Sequence, residues 1–142
     1  MKKLILSALF LPIAGKAGFD NSNLPSESLA EVRSGKWPIS LERDVEYPDT
    51  SYLLIFRDQQ ILTAEVLDTV LFPNREQLKY FSKALSDLKA GSNGDVATFK
   101  DFMITRADKK YDGTWYILRD RYGLTSFQRP ELEIITGTIN RQ

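Results

Sequence analysis

The stretch Asn74–Gly91, NREQLKYFSKALSDLKAG, decides the fold class. Leu78, Phe81, Leu85 and Leu88 recur at helical spacing, while Lys79, Lys83, Asp87 and Lys89 fall off that stripe. Asn74 and Gln77 have the spacing of a capping box, in which the asparagine side chain accepts from a first-turn amide and the glutamine reaches back. Gly91 stands where a helix C-cap belongs. The spacing predicts a long amphipathic helix over residues 75–90.

On either side of that helix the apolar period changes from helical to alternating. Ile39, Leu41 and Val45 alternate with Ser40, Glu42, Asp44 and Glu46, the pattern of a strand with one wet face. Arg43 interrupts the apolar side, a position that suits a sheet margin where its head reaches water. Pro48-Asp49 marks a turn, and Tyr52 to Phe56 is a continuous apolar run such as a strand buried on both faces would show. Asp58-Gln59-Gln60 then reverses the chain into a strand over 61–66, with a further extended piece over 69–72.

Beyond the helix, Gly91-Ser92-Asn93-Gly94 reads as a connection. Residues 99–106 and 114–119 read as a hairpin whose reversal includes Asp112-Gly113, and residues 122–127 as a further strand. Arg129-Pro130 opens a closing helix with Leu132, Ile135 and Ile139 on one face, although Gly137 and the β-branched residues suit a last strand as well. The expectation is an α+β fold: an antiparallel sheet of about six or seven strands, the long helix across one face, and a short C-terminal helix. The recurrence of strands followed by a helix in each half resembles, in topology and without a shared motif, the β-sheet single-strand binders typified by the Whirly proteins.

The N-terminus has a different character. Lys2 and Lys3 precede a largely apolar stretch from Leu4 to Leu11, followed by Pro12 and the small residues Ala14, Gly15 and Ala17. That is the layout of a signal peptide over residues 1–17, with cleavage after Ala17. The apolar run is shorter than the roughly 20 residues a bilayer span needs, so no permanent membrane span is expected. The other reading makes it a buried core segment of a cytoplasmic protein, with Pro12 and Gly15 turning the chain away. Residues 18–36 read as a linker and a short helix, capped by Ser26, running through Leu29 and Val32 and stopped by Gly35. A single α+β domain over 37–142 completes the layout.

Composition narrows the chemistry. The chain of 142 residues has no histidine and no cysteine, which removes imidazole bases, thiolate nucleophiles and nitrogen or sulfur metal ligands. Nineteen basic and nineteen acidic side chains cancel, so no global field recruits a polyanion and any nucleic-acid site must be local. Asp108 to Gly113 resembles the start of a calcium loop but places Lys110 and Arg119 at its third and twelfth positions, where oxygen ligands are required. Gly91 to Asp95 is glycine-rich but lacks the lysine and hydroxyl of a phosphate loop. No metal, cofactor or catalytic residue is assigned.

One stretch is unusual. Between Tyr111 and Phe127, Tyr111, Trp115, Tyr116, Tyr122 and Phe127 interleave with Lys109, Lys110, Arg119, Arg121 and Arg129. Stacking surfaces beside positive charge suit single-stranded nucleic acid, whereas an ordinary sheet shows the same pattern with aromatics inward and arginines outward. The candidate ligand-binding residues are Lys109, Lys110, Trp115, Arg119, Arg121 and Tyr122. Three functional expectations follow. The first is an exported, periplasmic or extracellular, non-catalytic domain that binds an unidentified protein or envelope ligand. The second is a cytoplasmic single-stranded nucleic-acid binder. The third is a hydrolase using paired carboxylates, for which neither Glu42, Asp44 and Glu46 nor Glu131 and Glu133 mark a pair.

Overall fold

The computed structural model describes residues 26–46 and 49–142. The leader-like stretch and residues 18–25 lie outside the described residues. The fold is α+β. The described residues form two four-stranded antiparallel sheets, each followed by a helix. The first sheet runs β1 (Ser26–Ser34), β2 (Trp37–Glu46), β3 (Asp49–Arg57) and β4 (Leu67–Phe72), and α1 (Arg75–Ala90) follows. The second runs β5 (Val96–Thr98), β6 (Phe102–Lys109), β7 (Gly113–Asp120) and β8 (Leu124–Gln128), and α2 (Arg129–Asn140) follows. Each sheet is a meander in which every strand pairs with its neighbour in sequence.

The expected single sheet of six or seven strands is therefore corrected to eight strands in two sheets among the described residues. The largest difference lies at Ser26–Ser34, read as linker and short helix and found as an edge strand. A β-bulge between Ser28 and Ala30 breaks the period-two pattern, so Leu29 and Val32 fall three apart and imitate a helix. Gly35, read as a helix stop, opens a two-residue hairpin turn between Ser34 and Trp37, with the positive φ of 64° that such turns demand. Residues 61–66, read as a strand, form none, and the partner of β3 is instead β4.

α1 is found at the expected residues. Asn74 Oδ1 accepts from the Gln77 amide at 2.8 Å, and Leu78, Phe81, Leu85 and Leu88 are buried. The closing segment is a helix of 12 residues, with Pro130 in its first turn and the Glu131 carboxylate accepting from the Gln128 amide at 2.9 Å. Arg43 stands beside the edge strand, where it forms a cross-strand ion pair with Glu27 at 2.7 Å.

One apolar cluster joins the halves. Ile39, Leu41, Leu54 and Phe56 from the first sheet and Ile104, Tyr116, Leu118 and Phe127 from the second are fully or almost fully buried together with both helix stripes. α1 lies along α2, and β8 touches both β1 and β3.

The halves also repeat in detail. The buried positions Leu78, Phe81, Ser82 and Leu85 of α1 recur as Leu132, Ile135, Thr136 and Ile139 of α2, with identical spacing. β3 runs into Arg57-Asp58 and β7 ends with Arg119-Asp120. The two four-strand-and-helix units are copies of one plan sharing one core.

Candidate functional site

With the inner faces of both sheets filled, ligand chemistry falls to the outer faces and the turns. Strand register fixes what each outer face presents. On the second sheet Phe102, Ile104, Tyr116, Leu118, Thr125 and Phe127 point inward and are buried. Their neighbours form three outer rows across β6, β7 and β8: Ala107, Trp115 and Gln128; then Thr105, Ile117 and Ser126; then Met103, Arg119 and Leu124. No carboxylate lies in these rows. The face offers an indole, a guanidinium, a thioether, aliphatic side chains and neutral hydrogen-bonding groups.

Local chemistry holds Trp115 in place. The β6–β7 turn closes with Gly113 at φ 80°, a conformation that favours glycine. Trp115 Nε1 donates to Asp112 Oδ2 at 2.9 Å, and Gln128 Nε2 donates to the Asp112 carbonyl at 2.8 Å. These bonds tie the indole edge to the turn. Its cross-strand neighbour is the small residue Ala107, and the Trp115 side chain is half-buried.

The six sequence-predicted residues divide into three groups. Trp115 and Arg119 share the outer face of β7, four residues and about 13 Å apart. Lys109 and Lys110 stand at the β6–β7 end, where Lys110 Nζ lies 5.2 Å from the Tyr111 ring. Arg121 and Tyr122 occupy the opposite turn, the guanidinium 5.7 Å from the ring. The face thus joins two of the six, and the other four bracket its ends. Of the interleaved aromatics, Tyr116 and Phe127 are fully buried and stacked at 6.1 Å, so they belong to the core.

The structure also assembles groups that sequence reading missed. Asp58, just after β3, Asp68 on β4 and Asp120 at the end of β7 converge beside Gly123. Asp68 is pushed up to about 8, first by burial, then by its hydrogen bond with Asp120 and the charges of Asp120 and Asp58. Asp58 and Asp68 flank the β3–β4 connection while Asp120 comes from the other half of the chain, so no local spacing announces the three together. Each carboxyl spends an oxygen on backbone: Asp58 Oδ1 accepts from Gln60 and Leu124, Asp68 Oδ1 from Thr69, and Asp120 Oδ1 from Tyr122 and Gly123. The hydrogen-bonded pair Asp68 and Asp120 stands closer than the separations used in glycoside hydrolysis, which begin at about 5 Å. Among the described residues no cluster of side chains fits a metal ion.

Arg106 is the second omission. It lies on the inner side of β6, and its Nη1 donates to the carbonyls of Leu88, Lys89 and Gly91 at 2.8 to 2.9 Å. It thereby satisfies acceptors that the end of α1 leaves open. Its Nε lies 3.0 Å from Asp108 Oδ1, and this partner holds the Asp108 carboxyl below the usual carboxylate range.

No protein-family model matches the chain, and no curated protein resembles it in sequence. Among the described residues no helix is long and apolar enough to cross a membrane.

Proposed function

We propose that this protein is a non-catalytic binding module whose ligand, single-stranded nucleic acid, lies across the outer face of the second sheet. The observation that carries the proposal is the make-up of that face: a half-buried indole and an exposed guanidinium in three carboxylate-free rows, bracketed by Lys109 and Lys110 at one end and Arg121 and Tyr122 at the other. A base stacked on an aromatic ring contributes about 1 to 3 kcal/mol, and phosphates take up the flanking cations. Net neutrality of the chain makes the attraction local, so binding is of moderate strength and steeply salt-dependent.

The two tryptophans make the test direct, since Trp37 belongs to the first sheet and Trp115 to the second. In a Trp37→Phe protein, an unstructured oligonucleotide should quench the remaining fluorescence at low salt and release it as salt rises. In a Trp115→Phe protein the signal should stay flat. Quenching confined to Trp37, or none in either variant, contradicts the proposal.

The N-terminal pattern favours a second reading, an exported domain that uses a surface of this fold on a protein or envelope ligand. Its support is Lys2-Lys3, the apolar run Leu4 to Leu11, and Ala14, Gly15 and Ala17. Intact mass of protein from the native host decides it: loss of Met1 to Ala17 supports export, and a full-length mass removes the reading.

A further inference from the structure

The three carboxyls beside Gly123 bridge the two sheets. Asp58 directly follows β3 of the first sheet, yet its Oδ1 accepts from the Leu124 amide of the second at 3.1 Å. The Gln59 amide donates to the Leu124 carbonyl at 2.8 Å, and the Gln59 side chain bonds Thr125 and Ser126. Asp68, from the edge of the first sheet, reaches the same turn. A Cβ on Gly123 would lie 2.9 Å from Asp58 Cγ and 3.1 Å from Asp68 Oδ2, so only glycine lets the turn settle between these groups.

We propose that Asp68 and Asp120 share a single proton that clasps the first sheet to the β7–β8 turn, and that losing this proton loosens the seam between the sheets. As an ionised acceptor, Asp68 Oδ2 is buried without a donor. A proton held between it and Asp120 supplies the missing partner. The charges acting on Asp68 are those of Asp120 and Asp58, both negative. The neighbouring arginines turn elsewhere: Arg57 lies over the Trp37 ring and donates to the Ala64 carbonyl, and Arg119 sits on the outer face of β7. Arg121 and Tyr122 ride on the turn that the clasp holds.

The sign follows from linkage. A carboxyl whose folded value lies near 8 and whose unfolded value lies near 4 binds its proton more tightly when folded. Its stabilising contribution is complete below the unfolded value, falls as pH rises between the two, and is gone above the folded one.

Thermal melts of the full chain between about pH 6 and pH 9 should show Tm falling by an amount on the order of 5 °C. Asp68→Asn supplies a permanent donor to Asp120, and its Tm should be flat over that range. The Asp68 carboxyl carbon, followed by NMR in the unaltered protein, should titrate with a midpoint near 8. This second measurement stands even where the variant fails to fold. A midpoint near 4, or a variant melting with the same slope as the parent, overturns the proposal. A rise in Tm on adding millimolar calcium or magnesium, abolished by Asp68→Asn, overturns it too, since the cluster would then be a cation site.

Discussion

The two sheets share one topology and one core, yet they turn opposite chemistry to solvent. On the first, the outward residues of β2 are Ser40, Glu42 and Asp44, and beside them Leu53 and Ile55 of β3 face Leu71 and Thr69 of the edge strand. On the second, the same three-strand region carries no acid and displays Trp115 and Arg119. Inward positions are held to one apolar pattern because a shared interior penalises any departure from shape. Outward positions are free to diverge, so the divergence is where a function is to be sought. One inner exception is instructive. Leu41 pairs with buried Leu54, and its counterpart Arg106 pairs with buried Tyr116; the arginine is tolerated because three helix carbonyls receive it.

The comparison can be broken most severely from inside. Phe81→Ala in α1 and Ile135→Ala in α2 should each cost about 3 to 4 kcal/mol, and in both cases the protein should unfold in one transition by calorimetry, since the core is common. Separate transitions for the two halves would break the account of a single interior. Arg106→Ala removes a charged donor from three carbonyls and should cost about 2 kcal/mol in urea unfolding, more than a typical exposed substitution. The Asp108 ion pair adds a mild acid sensitivity: the carboxyl is held low, so its contribution is present above the ordinary aspartate value and fades as pH falls through the depressed one.

Outer-face substitutions sharpen the contrast with smaller effects on folding. Trp115→Ala should weaken oligonucleotide binding about 5- to 100-fold, the loss of one stacked base. Arg119→Ala should lower the salt dependence of binding by about one counterion. Glu42→Gln, on the first sheet, should leave binding unchanged and shift stability by under about 0.5 kcal/mol.

Legibility in the sequence followed the strength of local pattern. α1 was readable because Asn74, Gln77, Gly91 and the apolar stripe all agree. The C-terminal hairpin was readable from Asp112-Gly113. β1 was hidden because its bulge shifts the apolar residues onto a helical spacing. The run Tyr52 to Phe56 suggested burial on both faces, but only Tyr52, Leu54 and Phe56 are buried; Leu53 and Ile55 stay half-exposed beside the edge strand. At the candidate site, Trp115 and Arg119 stood out in the sequence by residue type, an aromatic ring near a basic side chain. The rest of their face depended on which strands pair, and pairing depends on chain-distant contacts. The Asp58, Asp68 and Asp120 meeting was illegible for the same reason, as the β3–β4 connection and the β7–β8 turn must first be folded together.

The central claim is that the second sheet, and not the first, carries the ligand surface. Backbone amide NMR of the labelled protein, titrated with an unstructured oligonucleotide at low salt, tests it most directly. The account predicts shifts concentrated on β6, β7 and β8, with Trp115 and Arg119 among the largest, and a quiet β2 and β3. Shifts centred on Leu53, Ile55 and Leu71, or spread evenly over both sheets, would contradict it.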